Sequence, residues 1–150
     1  MPTDQQTVPI SFGPEQAEKY DGNFTALAPV KDVMHLILQA HLSGLPDNAR
    51  ILVAGAGTGA EVRFLAALHP SWHFTLADPS PAMLDVARKH ADTEAFADRC
   101  VFHSDYVSTL DADNFDAGTS LLVSHFLNDT ETRTAYYQSV CQRLKLGAPL

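Results

Sequence analysis

Short apolar runs along the chain alternate with longer stretches in which apolar residues recur every three or four positions. The runs at 50–54, 73–77, 100–103 and 115–123 have the length and composition of strands. The longer stretches predict helices that cover residues 14–20, 29–42, 58–68, 81–91 and 131–144. Strands that alternate with helices form parallel sheets with helices on both faces. The pattern therefore predicts an α/β fold, a three-layer sandwich around a doubly wound, mostly parallel sheet.

Capping and packing positions can be assigned within the predicted helices. Ser80 is the predicted N-cap of the helix over 81–91, and Thr130 is the predicted N-cap of the last helix. The helix over 29–42 is predicted to pack on the sheet, and its apolar positions at helical spacing are Val30, Val33, Ile37 and Ala40.

The first predicted strand ends in a glycine-rich turn, Gly55-Ala56-Gly57-Thr58-Gly59. Glycine lets the backbone approach a ligand without an intervening Cβ, and the free N–H groups of the next helix point at whatever is bound. Asp78 ends the second strand about 20 residues further on, where an acidic side chain can accept hydrogen bonds from ribose hydroxyls. Two cofactor classes fit this unit. A dinucleotide fits the spacing G-x-G-x-x-A that ends at Ala60, and S-adenosylmethionine fits G-x-G-x-G.

Five segments of the chain, the glycine turn among them, carry a resemblance to a known family. In chain order, residues 51–61, 76–84, 102–106, 115–127 and 143–148 resemble the successive motifs of the class I S-adenosylmethionine-dependent methyltransferases. The resemblance extends over nearly the whole chain from Tyr20 onward. It implies a Rossmann-like fold, S-adenosyl-L-methionine as cofactor, S-adenosyl-L-homocysteine as product, and methyl transfer to a small-molecule acceptor.

The resemblance also assigns residues to the parts of the cofactor. The implied cofactor-binding residues are Gly55, Ala56, Gly57, Gly59, Asp78, Pro79, Met83, Asp105, Tyr106 and Leu121. The glycines line the methionine and ribose portion, Asp78 accepts hydrogen bonds from the ribose diol, and Pro79 flanks the adenine. Asp105 binds the adenine amino group and the Tyr106 backbone a ring nitrogen, while the backbone near Leu121 faces the methionine end.

The chain departs from the family pattern in two places. The family has an acid at the end of the first strand, where this chain has Val53, and Glu61 is the residue considered as a replacement. The family's sheet has further strands, whereas this chain stops at Leu150 after the fourth strand and its helix, which predicts a truncated chain. An uncovered sheet edge there would favour self-association, so a homodimer is a candidate assembly.

One histidine is nominated for catalysis. Methyl transfer from a sulfonium is an in-line displacement, so alignment contributes most and a general base is needed only for a protonated acceptor. His125 follows the fourth predicted strand, and its alternative interpretation is a packed or surface histidine. His69 and His73 do not form a predicted metal pair, because Pro70 breaks the helix that would align them, and no metal site is expected.

Charge and composition narrow the choice of partner. The formal net charge of -8 and the lack of a run rich in Lys or Arg disfavour nucleic acid, so a small molecule is the expected partner. No apolar stretch is long enough for a membrane span and no secretory signal precedes the domain, so a cytoplasmic location is expected. Residues 1–28 are predicted to form an arm or lid, and residues 29–150 the cofactor-binding domain.

Three other functions remain open from the sequence. A carboxy-S-adenosylmethionine synthase is similar over residues 78–83 and 126–127. A cofactor-binding module without activity is consistent with Val53 and with the missing strands. A dinucleotide oxidoreductase is the weakest alternative, because nothing after Asp105 resembles a hydride-transfer site.

Overall fold

The computed structural model describes residues 12–23 and 25–150. Four strands in this part of the chain form one sheet: β1 (Arg50–Ala54), β2 (His73–Ala77), β3 (Cys100–His103) and β4 (Ala117–Thr119). Their order is β3-β2-β1-β4, and every neighbouring pair is parallel. The chain runs from β1 outward to β3 and then returns to β4 on the other side. The carboxyl ends of β1 and β4 therefore flank the point at which doubly wound sheets bind ligands.

The described residues contain five α-helices: α1 (Pro14–Asn23), α2 (Ala28–Leu42), α3 (Ala60–Leu68), α4 (Pro81–Thr93) and α5 (Thr130–Cys141). None of these has the length and apolar character needed to cross a membrane. Residues of β1 alternate between the two faces of the sheet. Ile51 and Val53 belong to a core with side chains of α2, α3 and α4, whereas Leu52 and Ala54 belong to a second core with α5. The predicted three-layer sandwich around a doubly wound parallel sheet is confirmed.

Helix α2 packs on the sheet through a different face from the predicted one. Leu38 and Leu42 are buried in the core, whereas Val30, Val33 and Ile37 are each more than half exposed. Two apolar stripes run along this helix, and periodicity alone does not decide which of them meets the sheet. The first half of the exposed stripe, which includes Val30, is not covered by the sheet.

Strand β4 is shorter than the predicted run over 115–123. Phe115 forms only an isolated parallel bridge with Leu144. Leu122 has a φ of 57°, which ends the extended geometry, and Ser124–Phe126 form a short 3-10 helix. Phe115, before the strand, is buried, whereas Leu122, beyond it, is 55% exposed, so the apolar run does not coincide with the paired residues.

Both ends of α5 differ from the predicted N-cap at Thr130 and the predicted end at residue 144. Asp129, rather than Thr130, is the N-cap, and its Oδ1 accepts a 2.7 Å hydrogen bond from the Thr132 N–H. Asp is the better cap because its carboxylate accepts strongly from the first free amides. The helix ends at Cys141 instead of continuing to residue 144, since Leu144 leaves it to bridge with Phe115.

The helices on either side of β2 start close to the predicted positions. Ser80 caps α4 as predicted, with its Oγ accepting from the Met83 N–H at 3.3 Å. Helix α3 begins at Ala60 rather than near Thr58, because Gly59 adopts a left-handed conformation and is its N-cap. Both helices therefore begin beside the carboxyl edge of the sheet.

Candidate functional site

A large cavity lies at the carboxyl ends of the four strands. Its volume is about 1190 Å³, and the segments that follow β1, β2, β3 and β4 all contribute to its wall. The rest of the wall includes Phe12, Gly13, α1, the first half of α2 and the first seven residues of α5. The position is the one at which doubly wound sheets bind their ligands. The glycine turn and Asp78, both predicted binding elements, are brought together in this wall.

Three glycines of the turn have positive φ angles but different surroundings. Gly55 has a φ of 68°, and a Cβ placed on it would lie 2.3 Å from Cγ2 of Val123. Gly57 has a φ of 54°, and a Cβ there would meet nothing within 4 Å, because this residue faces the cavity. Gly59 has a φ of 77° and packs against Ala87. Gly55 and Gly57 thus line the cavity, whereas Gly59, predicted to bind the cofactor, is outside its wall.

The Asp78 carboxylate links the turns after β1 and β2. Its Oδ2 accepts a 2.9 Å hydrogen bond from the Gly57 N–H, and its Oδ1 accepts one of 2.8 Å from the Ser80 N–H. Burial raises the pKa of Asp78, while the two backbone hydrogen bonds act in the opposite direction. Each carboxylate oxygen retains a further lone pair for a ligand hydroxyl. Asp78 is therefore a fixed acceptor at the edge of the cavity.

A second carboxylate, Glu61, lies in the same wall. It is in the first turn of α3 and is only 6% exposed. Burial raises the pKa of Glu61 to about 7; a hydrogen bond from its own backbone lowers the value and the charge of Asp78 raises it. Val53, by contrast, is fully buried in the core at the end of β1. The cavity wall therefore receives a carboxylate from Glu61, whereas Val53 at the end of β1 provides none.

The described part of the N-terminal segment closes one side of the cavity. The Phe12 carbonyl accepts a 3.0 Å hydrogen bond from the Ser80 hydroxyl. The Phe12 ring lies edge-on to Tyr20, with centroids 5.6 Å apart, and to Phe126, with centroids 6.2 Å apart. Residues 1–11 and 24 of the predicted arm lie outside the described residues. A lid over residues 1–28 stays a prediction.

Asp21 attaches α1 to two other parts of the fold. Its Oδ1 accepts a 2.7 Å hydrogen bond from the Thr58 hydroxyl in the glycine turn. Its Oδ2 lies 3.1 Å from Nε2 of His90 on α4. One side chain therefore holds α1 against both the turn and α4.

Replacing Asp21 by Asn is expected to loosen α1 without unfolding the domain. The amide keeps the shape of the carboxylate but loses its charge and one of two acceptor oxygens, and a hydrogen bond of this kind contributes about 0.5–1.5 kcal/mol. Hydrogen exchange of the α1 amides should become roughly 2–10 times faster. Glu15→Gln is the control, because Glu15 forms only an exposed pair with Lys19. Equal exchange rates in the two variants would contradict the role of Asp21.

The remaining sequence-predicted residues divide into two groups. Those that line the cavity are Ala56, Pro79, Met83, Asp105, Tyr106 and Leu121. Asp105 turns one oxygen toward the N–H of Tyr106, at 2.7 Å, and is otherwise exposed. His125 is not in the cavity wall; it is exposed, and its ring centroid lies 3.9 Å from that of Phe126. Its catalytic role stays a prediction.

Several residues of the wall were not anticipated from the sequence. Tyr136 of α5 lines the cavity, and its hydroxyl lies 2.8 Å from Oγ of Ser120. Burial raises the pKa of Tyr136, so it remains a neutral phenol. The apolar part of the wall includes Phe12, Leu27, Val30, Met34 and Phe126. An aromatic residue in a helix normally indicates a core position, so only the docking of α5 reveals Tyr136 as a wall residue.

Comparison with protein families identifies a methyltransferase domain in the chain. The model of the methyltransferase domain family matches residues 51–147, which include β1, the glycine turn, Asp78 and α5. A comparison with curated protein sequences gave no match.

Solved structures with the same fold span more residues than this chain. A candidate S-adenosyl-L-methionine-dependent methyltransferase from Methanococcus maripaludis is 20% identical with a TM-score of 0.73, over 90% of this chain and 60% of the other. A methyltransferase from Geobacter sulfurreducens, solved with S-adenosyl-L-homocysteine, is 21% identical with a TM-score of 0.60, over 74% and 43%. The 4+2 cyclase SpnF is 21% identical with a TM-score of 0.62, over 76% and 41%. The chain thus spans about 60% or less of the length of these relatives.

Proposed function

The chain belongs to the methyltransferase domain family, and from this premise we propose that it binds S-adenosylmethionine in the cavity and transfers the methyl group to a small molecule. The observation that carries the proposal is the Asp78 carboxylate, which two backbone amides hold at the cavity edge with lone pairs to spare. An acid in this position, after the strand that follows the glycine turn, is suited to bind a ribose diol.

The residues present fit an adenosyl cofactor. Gly57 leaves open space where any other residue would place a Cβ, so a ligand can approach the backbone closely. The cavity volume of about 1190 Å³ exceeds the roughly 300–1,000 Å³ of ordinary small-molecule sites, which leaves room for a cofactor and an acceptor together. In this reading Asp105 and Tyr106, which also line the cavity, take the adenine.

The chain's contribution to the reaction is alignment and the exclusion of water. When bound, the cofactor supplies an electrophilic methyl group on a sulfonium centre. The apolar side chains of Phe12, Met34 and Phe126 keep water from the space beside it and orient the acceptor. Because in-line displacement depends on geometry, no side chain of the wall has to act as a base for an unprotonated acceptor.

The charges of the wall favour a neutral or cationic acceptor. The acidic residues in it are Asp21, Glu61, Asp78, Asp85, Asp105, Asp129 and Glu131. Lys31 is the only lysine or arginine among the described lining residues. A wall of this charge repels phosphate groups, so it disfavours nucleic acid and other anionic acceptors. A location in the cytoplasm remains part of this proposal.

Calorimetric titration with S-adenosylmethionine, S-adenosylhomocysteine and NAD tests the cofactor site. Asp78→Ala should weaken binding of both sulfur compounds tenfold or more, because a charge-assisted hydrogen bond contributes about 1.5–3 kcal/mol. Asp92→Ala is the control, since Asp92 is an exposed carboxylate of α4 outside the cavity wall. Unchanged affinity in the Asp78 variant would refute the ribose assignment, and a preference of the wild type for NAD would refute the cofactor.

A further inference from the structure

Glu61 is a buried carboxylate in the cavity wall with no cationic partner. Its side chain takes part in none of the ion pairs found among residues 12–23 and 25–150. Lys31 and His35 of α2 line the same cavity, but neither is paired with it. A buried acid that remains unpaired is costly to ionise, and such groups are usually compensated by a positive charge.

The surroundings of Glu61 differ from those of its neighbour Asp78. Asp78 accepts from the amides of two other residues, whereas the hydrogen bond acting on Glu61 comes from its own backbone. The charge of Glu61 also contributes to raising the pKa of Tyr20 on α1 and of Tyr136 on α5, and both tyrosines are neutral. Asp78 adds a like charge, which further disfavours the ionised form. Among residues 12–23 and 25–150, Glu61 therefore has no cation that compensates its charge.

We propose that Glu61 binds the ammonium group at the amino-acid end of the cofactor. The inference rests on the proposed function, in which Asp78 takes the ribose. The charge of Asp78 acts on Glu61, and both residues line the same cavity. A ligand anchored by its ribose at Asp78 thus carries its amino-acid chain past the first turn of α3. Val53 is buried and apolar, so the end of β1 offers no competing acid.

Two ligands separate the amino-acid end from the rest of the cofactor. S-adenosylhomocysteine carries the ammonium group, whereas 5′-methylthioadenosine has the same adenosine and sulfur but no amino acid. Each is titrated calorimetrically at pH 7 into the wild-type chain and into Glu61→Gln, in two buffers with different ionisation enthalpies. Asp92→Asn is the control variant, because Asp92 of α4 is an exposed acid outside the cavity wall.

At pH 7 the Glu61 carboxyl group is about half protonated in the ligand-free protein. An ion pair with the ammonium group of S-adenosylhomocysteine keeps Glu61 ionised, so the wild type should release roughly half a proton when this ligand binds. The same ligand should bind Glu61→Gln at least tenfold more weakly and without proton release. 5′-Methylthioadenosine should bind wild type and Glu61→Gln equally well, which also shows that the variant is folded. Asp92→Asn should behave as the wild type with both ligands.

Four results would overturn the inference. Equal losses of affinity for both ligands in Glu61→Gln would show a structural role for the side chain, and unchanged affinity for S-adenosylhomocysteine would show no role in binding. Binding of S-adenosylhomocysteine without proton release would leave the cofactor site intact and refute the ion pair alone. Wild-type protein that binds neither compound would refute the proposed function together with this inference.

Discussion

Gly55→Ala is expected to destabilise the domain by roughly 2–5 kcal/mol. A Cβ at this position would lie 2.3 Å from Cγ2 of Val123, far inside van der Waals contact. Valine is stiff about χ1, so its side chain cannot turn away freely. The φ of 68° adds a penalty of about 1–2 kcal/mol for any residue with a side chain. The first glycine of the turn is therefore required by the fold itself.

Gly57→Ala is the matched control for this prediction. Its φ of 54° imposes a similar backbone penalty, but a Cβ there meets nothing within 4 Å. Stability should fall by only about 1–2 kcal/mol, while cofactor affinity should fall strongly because the new methyl group occupies the ligand's side of the turn. Chemical denaturation followed by fluorescence of Trp72, the single and buried tryptophan, measures the first effect. Equal destabilisation by the two substitutions would contradict the steric argument.

The part of the site that could be predicted is encoded locally. The strand ending in glycines and the acid after the next strand lie within 30 residues of each other, and parallel topology brings strand ends to one edge. The hydrogen bond from Gly57 N–H to Asp78 confirms that the two elements meet. Gly59 shows the limit of the motif, since its positive φ serves the start of α3 rather than the cavity.

The parts that could not be predicted depend on how distant elements dock. Asp21 meets Thr58 only because α1 lies across the glycine turn, and nothing near Asp21 in the sequence indicates this contact. Tyr136 reaches Ser120 because α5 packs on the opposite face of the sheet from α3. The exposed stripe of α2 that includes Val30 was assigned to the sheet, although Leu38 takes that place. Tertiary packing, which hydropathy does not encode, settles each of these.

Glu61→Gln is expected to stabilise the ligand-free domain at pH 8 and to stabilise it much less at pH 5. Burial raises the pKa of Glu61 from 4.5 to about 7. Between these values the folded state binds more protons than the unfolded state, so the free energy of unfolding falls as the pH rises. The loss is complete above the folded-state pKa and is on the order of 3 kcal/mol. Glutamine resembles the protonated acid and does not ionise, so the variant escapes this loss.

The difference in unfolding free energy between Glu61→Gln and wild type isolates the contribution of this one group. The pKa of Asp78 is also raised by burial, but Asp78 is present in both proteins. Its contribution to the pH dependence of stability therefore largely cancels in the difference. Trp72 fluorescence in denaturant, measured from pH 5 to pH 8, should give a difference that grows with pH and levels off above pH 7. A flat difference for Glu61→Gln would mean that the buried acid already has a partner when folded, whereas the expected slope would show that the ligand-free fold buries an acid that lacks a compensating charge.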